Sequence, residues 1–334
     1  MVNLMFNPAY KITLGNKVIN TTDEPQASTV IDLLVELDID TPADRFLLTL
    51  GNVGSLQPET EDEAAIELGY ADDGELQQVM AGTLVKIKTG LLNTQITGQS
   101  AVRSLLFKFI SKTYESKSAG DIVRDLAGEG SVRVASADSG IRFPAYVIDE
   151  RKNLYRHMLD LAELCGFDLY ANENDELVFK KFTSGNQIHL LDYGKDILEL
   201  EIQETLPPAG KVEVFGESPG GGQSPEAWAW LTKDFGGQKG TAGSGSQTML
   251  VETPVLRSNE AARTTARAIS TAITRNTRRG RLLIAGRPQV KLGDAVRLRE
   301  VPNADLNGTY QVRSVTHRVS KQGGFTTTIE FRSI

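Results

Sequence analysis

The sequence predicts a mainly β protein of the α+β class, with two β-barrel-like tube modules on either side of a small helix-plus-hairpin module. Three observations predict it. Apolar and polar residues alternate with period two through the N-terminal third, helical spacing takes over around 118–165, and alternation resumes near 198 and continues to the end. The expected boundaries are 1–112, 113–184 and 185–334.

The clearest early strand sets Ile31, Leu33, Val35, Leu37 and Ile39 against Asp32, Glu36, Asp38 and Asp40, one apolar face and one acidic. Gly15-Asn16 supplies a hairpin turn between Tyr10–Leu14 and Lys17–Asn20. Further strands are expected at Arg45–Leu50, Ala64–Tyr70, Thr83–Lys88, Gln95–Thr97 and Val102–Ile110. Short strands, Gly-rich turns and no long helix read as a barrel or sandwich.

Ser118 and Asp121 have capping-box spacing, and Ile122, Val123 and Leu126 follow at helical spacing until Gly128. A second helix places Leu154, Met158, Leu161 and Cys165 on one stripe, with Asp149 as the expected cap and Gly166 as the stop. Phe167–Tyr170, a polar turn at Asn172–Asp175 and Glu176–Phe179 then read as a hairpin. Strands return at Leu198–Ile202 and Lys211–Phe215. Residues 216–247 hold nine glycines and four serines, so a long loop with a short helix near Pro225 is expected there. A helix over 258–277, capped by Ser258, buries Ala262, Ala266, Ile269 and Ile273. The last strands are expected at Arg281–Ala285, Asp294–Arg299, Thr309–Arg318 and Phe325–Phe331.

Composition narrows the functional classes. No apolar run approaches the ~20 residues of a bilayer span, and the first residues lack the basic and apolar regions of a signal peptide. The expectation is therefore a chain folded in the cytoplasm without membrane insertion. A single cysteine, Cys165, excludes an internal disulfide and a Cys-rich zinc site. The histidines 157, 189 and 317 show no metal-ligand spacing, so no metal or cofactor is expected. From Arg257 onward there are 15 Lys+Arg and 5 Asp+Glu, or +10; the remaining 21 basic and 38 acidic residues give −17, and the two add to the net −7. Such polarity suits an assembly surface or a nucleic-acid surface, or reflects two differently solvated faces.

Each sharper reading has a bland rival. Gly216-Glu217-Ser218-Pro219-Gly220 formally matches a serine-hydrolase elbow, and Asp294 and His317 would complete a triad in order. The elbow needs a helix directly after the serine, and Gly220–Gly222 is poor helix material. Gly236–Thr241 lacks phosphate-loop spacing. Cys165 reads as core, and His157, among polar neighbours, as surface. Arg275, Arg278, Arg279, Arg281 and Arg287 support an alternative, a nucleic-acid-binding module, although few aromatics interleave with them. Trp228, Trp230, Leu231 and Phe235 sit in the Gly-rich loop, and large apolar residues there read as anchors for a partner.

Four passages in order resemble the late control D and baseplate hub family of contractile-tailed phages, which also includes the hub part of type VI secretion spike proteins. They are Tyr114–Gly128, Tyr146–Phe179, Leu190–Phe215 and Gly293–Val319. The resemblance implies a non-enzymatic structural protein of a virion or injection-particle baseplate, assembled in the bacterial cytoplasm. It implies a homotrimeric ring adapting a sixfold tail tube to a threefold spike, with the tail tube protein, a separate spike protein and other baseplate proteins as partners. Nucleic acid would meet it only by passage through the channel. Within that picture Arg275, Arg278, Arg279, Arg281 and Arg287 are expected to meet acidic groups on an adjacent subunit or tube ring.

Overall fold

The computed structural model describes residues 7–21, 29–51, 58–72, 74–184, 187–216 and 239–334. Strand accounts for 50% of the described residues and helix for 17%, which makes the fold mainly β within the α+β class.

The N-terminal strands are β1 (Pro8–Leu14), β2 (Lys17–Asn20), β3 (Val30–Asp38), β4 (Arg45–Gly51), β5 (Glu63–Tyr70), β6 (Gln77–Thr89) and β7 (Asn93–Gln99). They pair antiparallel in the order β3-β4-β7-β6-β5-β1-β2, and Gly15-Asn16 forms the β1–β2 turn. The C-terminal strands are β13 (Ile188–Asp192), β14 (Ile197–Glu204), β18 (Arg278–Ala285), β19 (Ala295–Arg299), β20 (Gly308–Ser320) and β21 (Gly324–Ser333). β20 pairs with β3, placing Val315 opposite Leu37 and His317 opposite Val35. Both ends of the chain thereby share one 13-stranded sheet and one apolar core.

That sheet is strongly curled. β5 lies six strands from β21 along the hydrogen-bonded order, or ~29 Å on a flat sheet. Yet the rings of Tyr70 and Phe325 are 5.6 Å apart, and the Tyr70 hydroxyl donates to the Gly286 carbonyl at 2.8 Å. The expected closed barrels are corrected: among the described residues the sheets are open. The β3–β20 ladder uses strand edges that two separately closed barrels would have paired within themselves.

A second core surrounds β8 (Lys112–Ser118), α1 (Ala119–Glu129), β9 (Val134–Ala137), β10 (Arg142–Ile148), α2 (Leu154–Cys165), β11 (Asp168–Ala171) and β12 (Leu177–Lys180). Ser118 and Asp121 form the reciprocal capping box of α1, and Gly166 ends α2 in the left-handed region at φ 69°, where glycine alone is unstrained. The same core includes side chains of β15 (Lys211–Phe215) and α3 (Asn259–Arg275). β15 is flanked by β16 (Lys239–Gly243) and β17 (Thr248–Glu252). α3 lies against β16 so closely that a Cβ on Gly240 would stand 2.1 Å from the Ala262 carbonyl oxygen.

Several local expectations are revised. Ala101–Leu106 is a 3-10 helix rather than a strand, because its buried residues, Val102 and Leu105, recur every three residues. The cap of α2 is Asn153, whose side chain accepts from the Arg156 amide at 2.8 Å, whereas Asp149 binds Arg151. A bulge at Val30/Asp32 shifts the phase of β3, burying Val30 and exposing Ile31. Part of the expected Gly-rich loop is strand, since Lys239–Gly243 pairs with Lys211–Phe215.

Candidate interaction surfaces

Of the triad suggested by the sequence, the two members within the described residues, Asp294 and His317, are not paired with each other. Ser218 lies outside the described residues, as do Trp228, Trp230, Leu231 and Phe235 and the helix expected near Pro225. Asp294 is committed to His189, with Oδ2 2.9 Å from Nε2, and it also accepts the Lys291 amide at 3.0 Å. His317 is buried in the large-sheet core, its Nδ1 3.0 Å from the Thr327 hydroxyl. Burial pushes its pKa down to about 3, which keeps the ring neutral, and among the described residues no carboxylate hydrogen-bonds to it.

Cys165 lies in the central core, where burial pushes its thiol up to about 11. His157 is buried too, against expectation. Its Nε2 donates to the Asp149 carbonyl at 3.0 Å, which lets a polar ring face inward at the foot of α2. Among the described residues no cluster of His, Cys, Asp and Glu has the arrangement of a metal site, and no helix is long and apolar enough to cross a membrane.

The arginines divide into two environments. Arg278 pairs with Glu204 at 2.6 Å and donates to the Asp305 carbonyl at 2.8 Å. Arg281 stands between Glu201 and Glu330 in the β14–β18–β21 register, a cross-strand alternation of charge. Arg287 reaches Asp196 at 3.4 Å. Arg275 and Arg279 instead line a cavity of about 980 Å³ between α2, α3 and the outer face of the large sheet.

The floor of that cavity is a buried ionic network that the sequence reading missed. Asp168, on β11, accepts from Arg313 Nη1 at 2.5 Å, from Gln311 Nε2 at 2.6 Å and from Arg332 Nη2 at 3.4 Å. Arg313 also grips Asp40. Burial works against the Arg313 charge, but Asp168 and Asp40 hold its pKa above the ordinary value. Arg332 has less compensation, and burial with repulsion from Arg313 pushes it down to about 10. Arg313 sits in a strand with buried residues on both sides, and a charge there demands a partner. That was the available signal.

The fold is similar to that of solved phage tail proteins. Over 97% of its length the chain superposes on 98% of a 43 kDa tail protein of prophage MuSo2 from Shewanella oneidensis, with TM-score 0.74 and 11% identity. A tail protein from Neisseria meningitidis MC58 matches over 98% of this chain and 97% of that one, at TM-score 0.72 and 12% identity. The E. coli c3393 protein, a type VI secretion component described as structurally similar to the T4 tail proteins gp27 and gp5, matches over 97% of this chain and 77% of that one. Its TM-score is 0.64 and its identity 10%. No family model and no curated protein sequence matches the chain. The resemblance read from four sequence passages is thus met by the fold of the whole chain.

Proposed function

We propose that this chain is the baseplate hub of a contractile tail or injection particle, a non-enzymatic structural component. The observation that carries the reading is the superposition of 97% of this chain on 98% of a tail protein. Three chains would form a ring, each contributing two strand-rich modules, and would join a sixfold tail tube to a threefold spike made by a separate protein. The expected modules 1–112, 113–184 and 185–334 belong to this reading, with α3 and β15–β17 packed toward the central one. A shared curled sheet suits a rigid adaptor, because the terminal modules are joined by a strand ladder rather than a linker. Assembly in the bacterial cytoplasm and a place in the baseplate follow.

Deleting the gene from the cluster that encodes the particle tests this. Electron microscopy should then find no complete tails, with assembly restored by supplying the chain in trans. Normal tails with intact baseplates in the deletion would overturn the proposal.

A further inference from the structure

The cavity beside α3 carries a charge imbalance. Its three carboxylates are engaged, Asp168 with Arg313 and Arg332, Asp40 with Arg313, and Glu163 with Arg156 at 4.0 Å. Four further cations line the same space beside Arg313 and Arg332: Lys181, Arg267, Arg275 and Arg279. None of these four has an ion-pair partner among the described residues. Arg275 is held over the Phe182 ring at 5.4 Å, and its Nε is buried without a hydrogen-bond partner among the described residues. Arg279 stands directly opposite Arg332 across the β18–β21 ladder, a like-charge pair that an anion placed between them would relieve.

The remaining lining mixes an apolar patch with the neutral polar side chains of Gln203, Thr205, Thr264, Thr271, Asn276 and Thr277. Leu159, Ile269, Ile273 and Met249 form the patch, and Leu206, 93% exposed, stands at its edge beside Pro207. Carboxylates alternating with aliphatic side chains would satisfy both the cations and the patch. A phosphate backbone would satisfy only the arginines. The acidic face of β3 in a second copy is a poorer match, because Asp32 is already paired with Arg318 at 3.0 Å and Glu36 with Arg45 at 2.5 Å.

We infer that this cleft is a docking site for a carboxylate-bearing, partly apolar segment of another protein of the tail particle. The inference rests on the tail-component reading and adds the chemistry of one partner to it.

The test uses the full chain and a fluorescein-labelled twelve-residue peptide of alternating Leu and Glu, with a Leu/Gln peptide as control. Fluorescence anisotropy at low salt should show binding of the Glu peptide, weakened at least about tenfold in the control peptide and in an Arg267→Gln/Arg279→Gln variant. Both arginines are exposed, so the variant keeps its fold; Lys181→Gln, tested separately, should weaken binding in the same direction. Equal binding of the two peptides, no binding, or binding indifferent to both variants overturns the inference. So does tighter binding of a DNA 12-mer through the same residues, which would make the occupant nucleic acid. Self-association lost in the double variant, without any peptide effect, would make it a second copy. Failed peptide binding by a chain that still restores tails in the deletion strain sinks this inference and leaves the hub reading standing.

Discussion

Replacing Asp168 by alanine tests the logic of the buried network. The carboxylate is 9% exposed, and the guanidiniums of Arg313 and Arg332 that bind it are 10% and 14% exposed. Breaking one partner from a buried ionic group costs roughly 3–5 kcal/mol, because the remaining charges stay in a poorly solvated place. Arg313 keeps Asp40, whose side chain is 69% exposed and therefore a weaker compensator, so the lower end applies, about 3 kcal/mol. At roughly 2 °C per kcal/mol for a large domain, the melting temperature should fall by about 6 °C. Urea and thermal unfolding followed by far-ultraviolet circular dichroism measure the free energy and the melting temperature. Adding Arg332→Met to Asp168→Ala should recover about 1–2 kcal/mol, since one orphaned charge is replaced by a side chain that needs no partner. A cost below about 1 kcal/mol for Asp168→Ala, or no recovery in the double variant, refutes the reasoning.

Gly240→Val should destabilise the central core by about 1–3 kcal/mol, seen as a lower urea midpoint, because the new Cβ meets the α3 backbone at Ala262 rather than a side chain that could move. Asp44 is buried, and desolvation raises its pKa to about 8. Its folded carboxyl keeps a proton that the unfolded chain gives up near pH 4, so the stability it contributes is full below that pH and is lost progressively as pH rises toward 8. Asp44→Asn should therefore stabilise the protein relative to wild type by about 2–4 kcal/mol at pH 7 and by almost nothing at pH 4 in paired denaturation curves. The Cys165 thiol should resist iodoacetamide at pH 8 in the native protein and react at once in urea, as read by mass spectrometry.

Local chemistry was the legible part of this sequence. Gly15-Asn16, the Ser118/Asp121 box, the Gly166 stop and the Ser258 cap each act within a few residues of themselves, and each is found where it was expected. Period three at Val102 and Leu105 was hidden inside an apolar stretch that also reads as period two. The long-range features were not legible. Nothing in β3 states that its partner is β20, and the bulge at Val30/Asp32 reverses the face of Ile31 without a marker in composition. The helical stripe of Ala262 and Ala266 showed that α3 buries a face, but not that this face meets β16 and the central core. Asp168 and Arg313 are 145 residues apart, so the cavity they floor exists only once the two cores meet. Of the arginines singled out, Arg275 and Arg279 line that cavity, whereas Arg278 and Arg281 face carboxylates of their own sheet.

The most direct measurement is the mass and symmetry of the purified chain, by native mass spectrometry and class-averaged electron microscopy. A symmetry adaptor requires three copies of the 36.4 kDa polypeptide around an open centre. Threefold particles with a central passage are the predicted result. A species that stays monomeric at high protein concentration, or closes with twofold symmetry and no opening, contradicts the account.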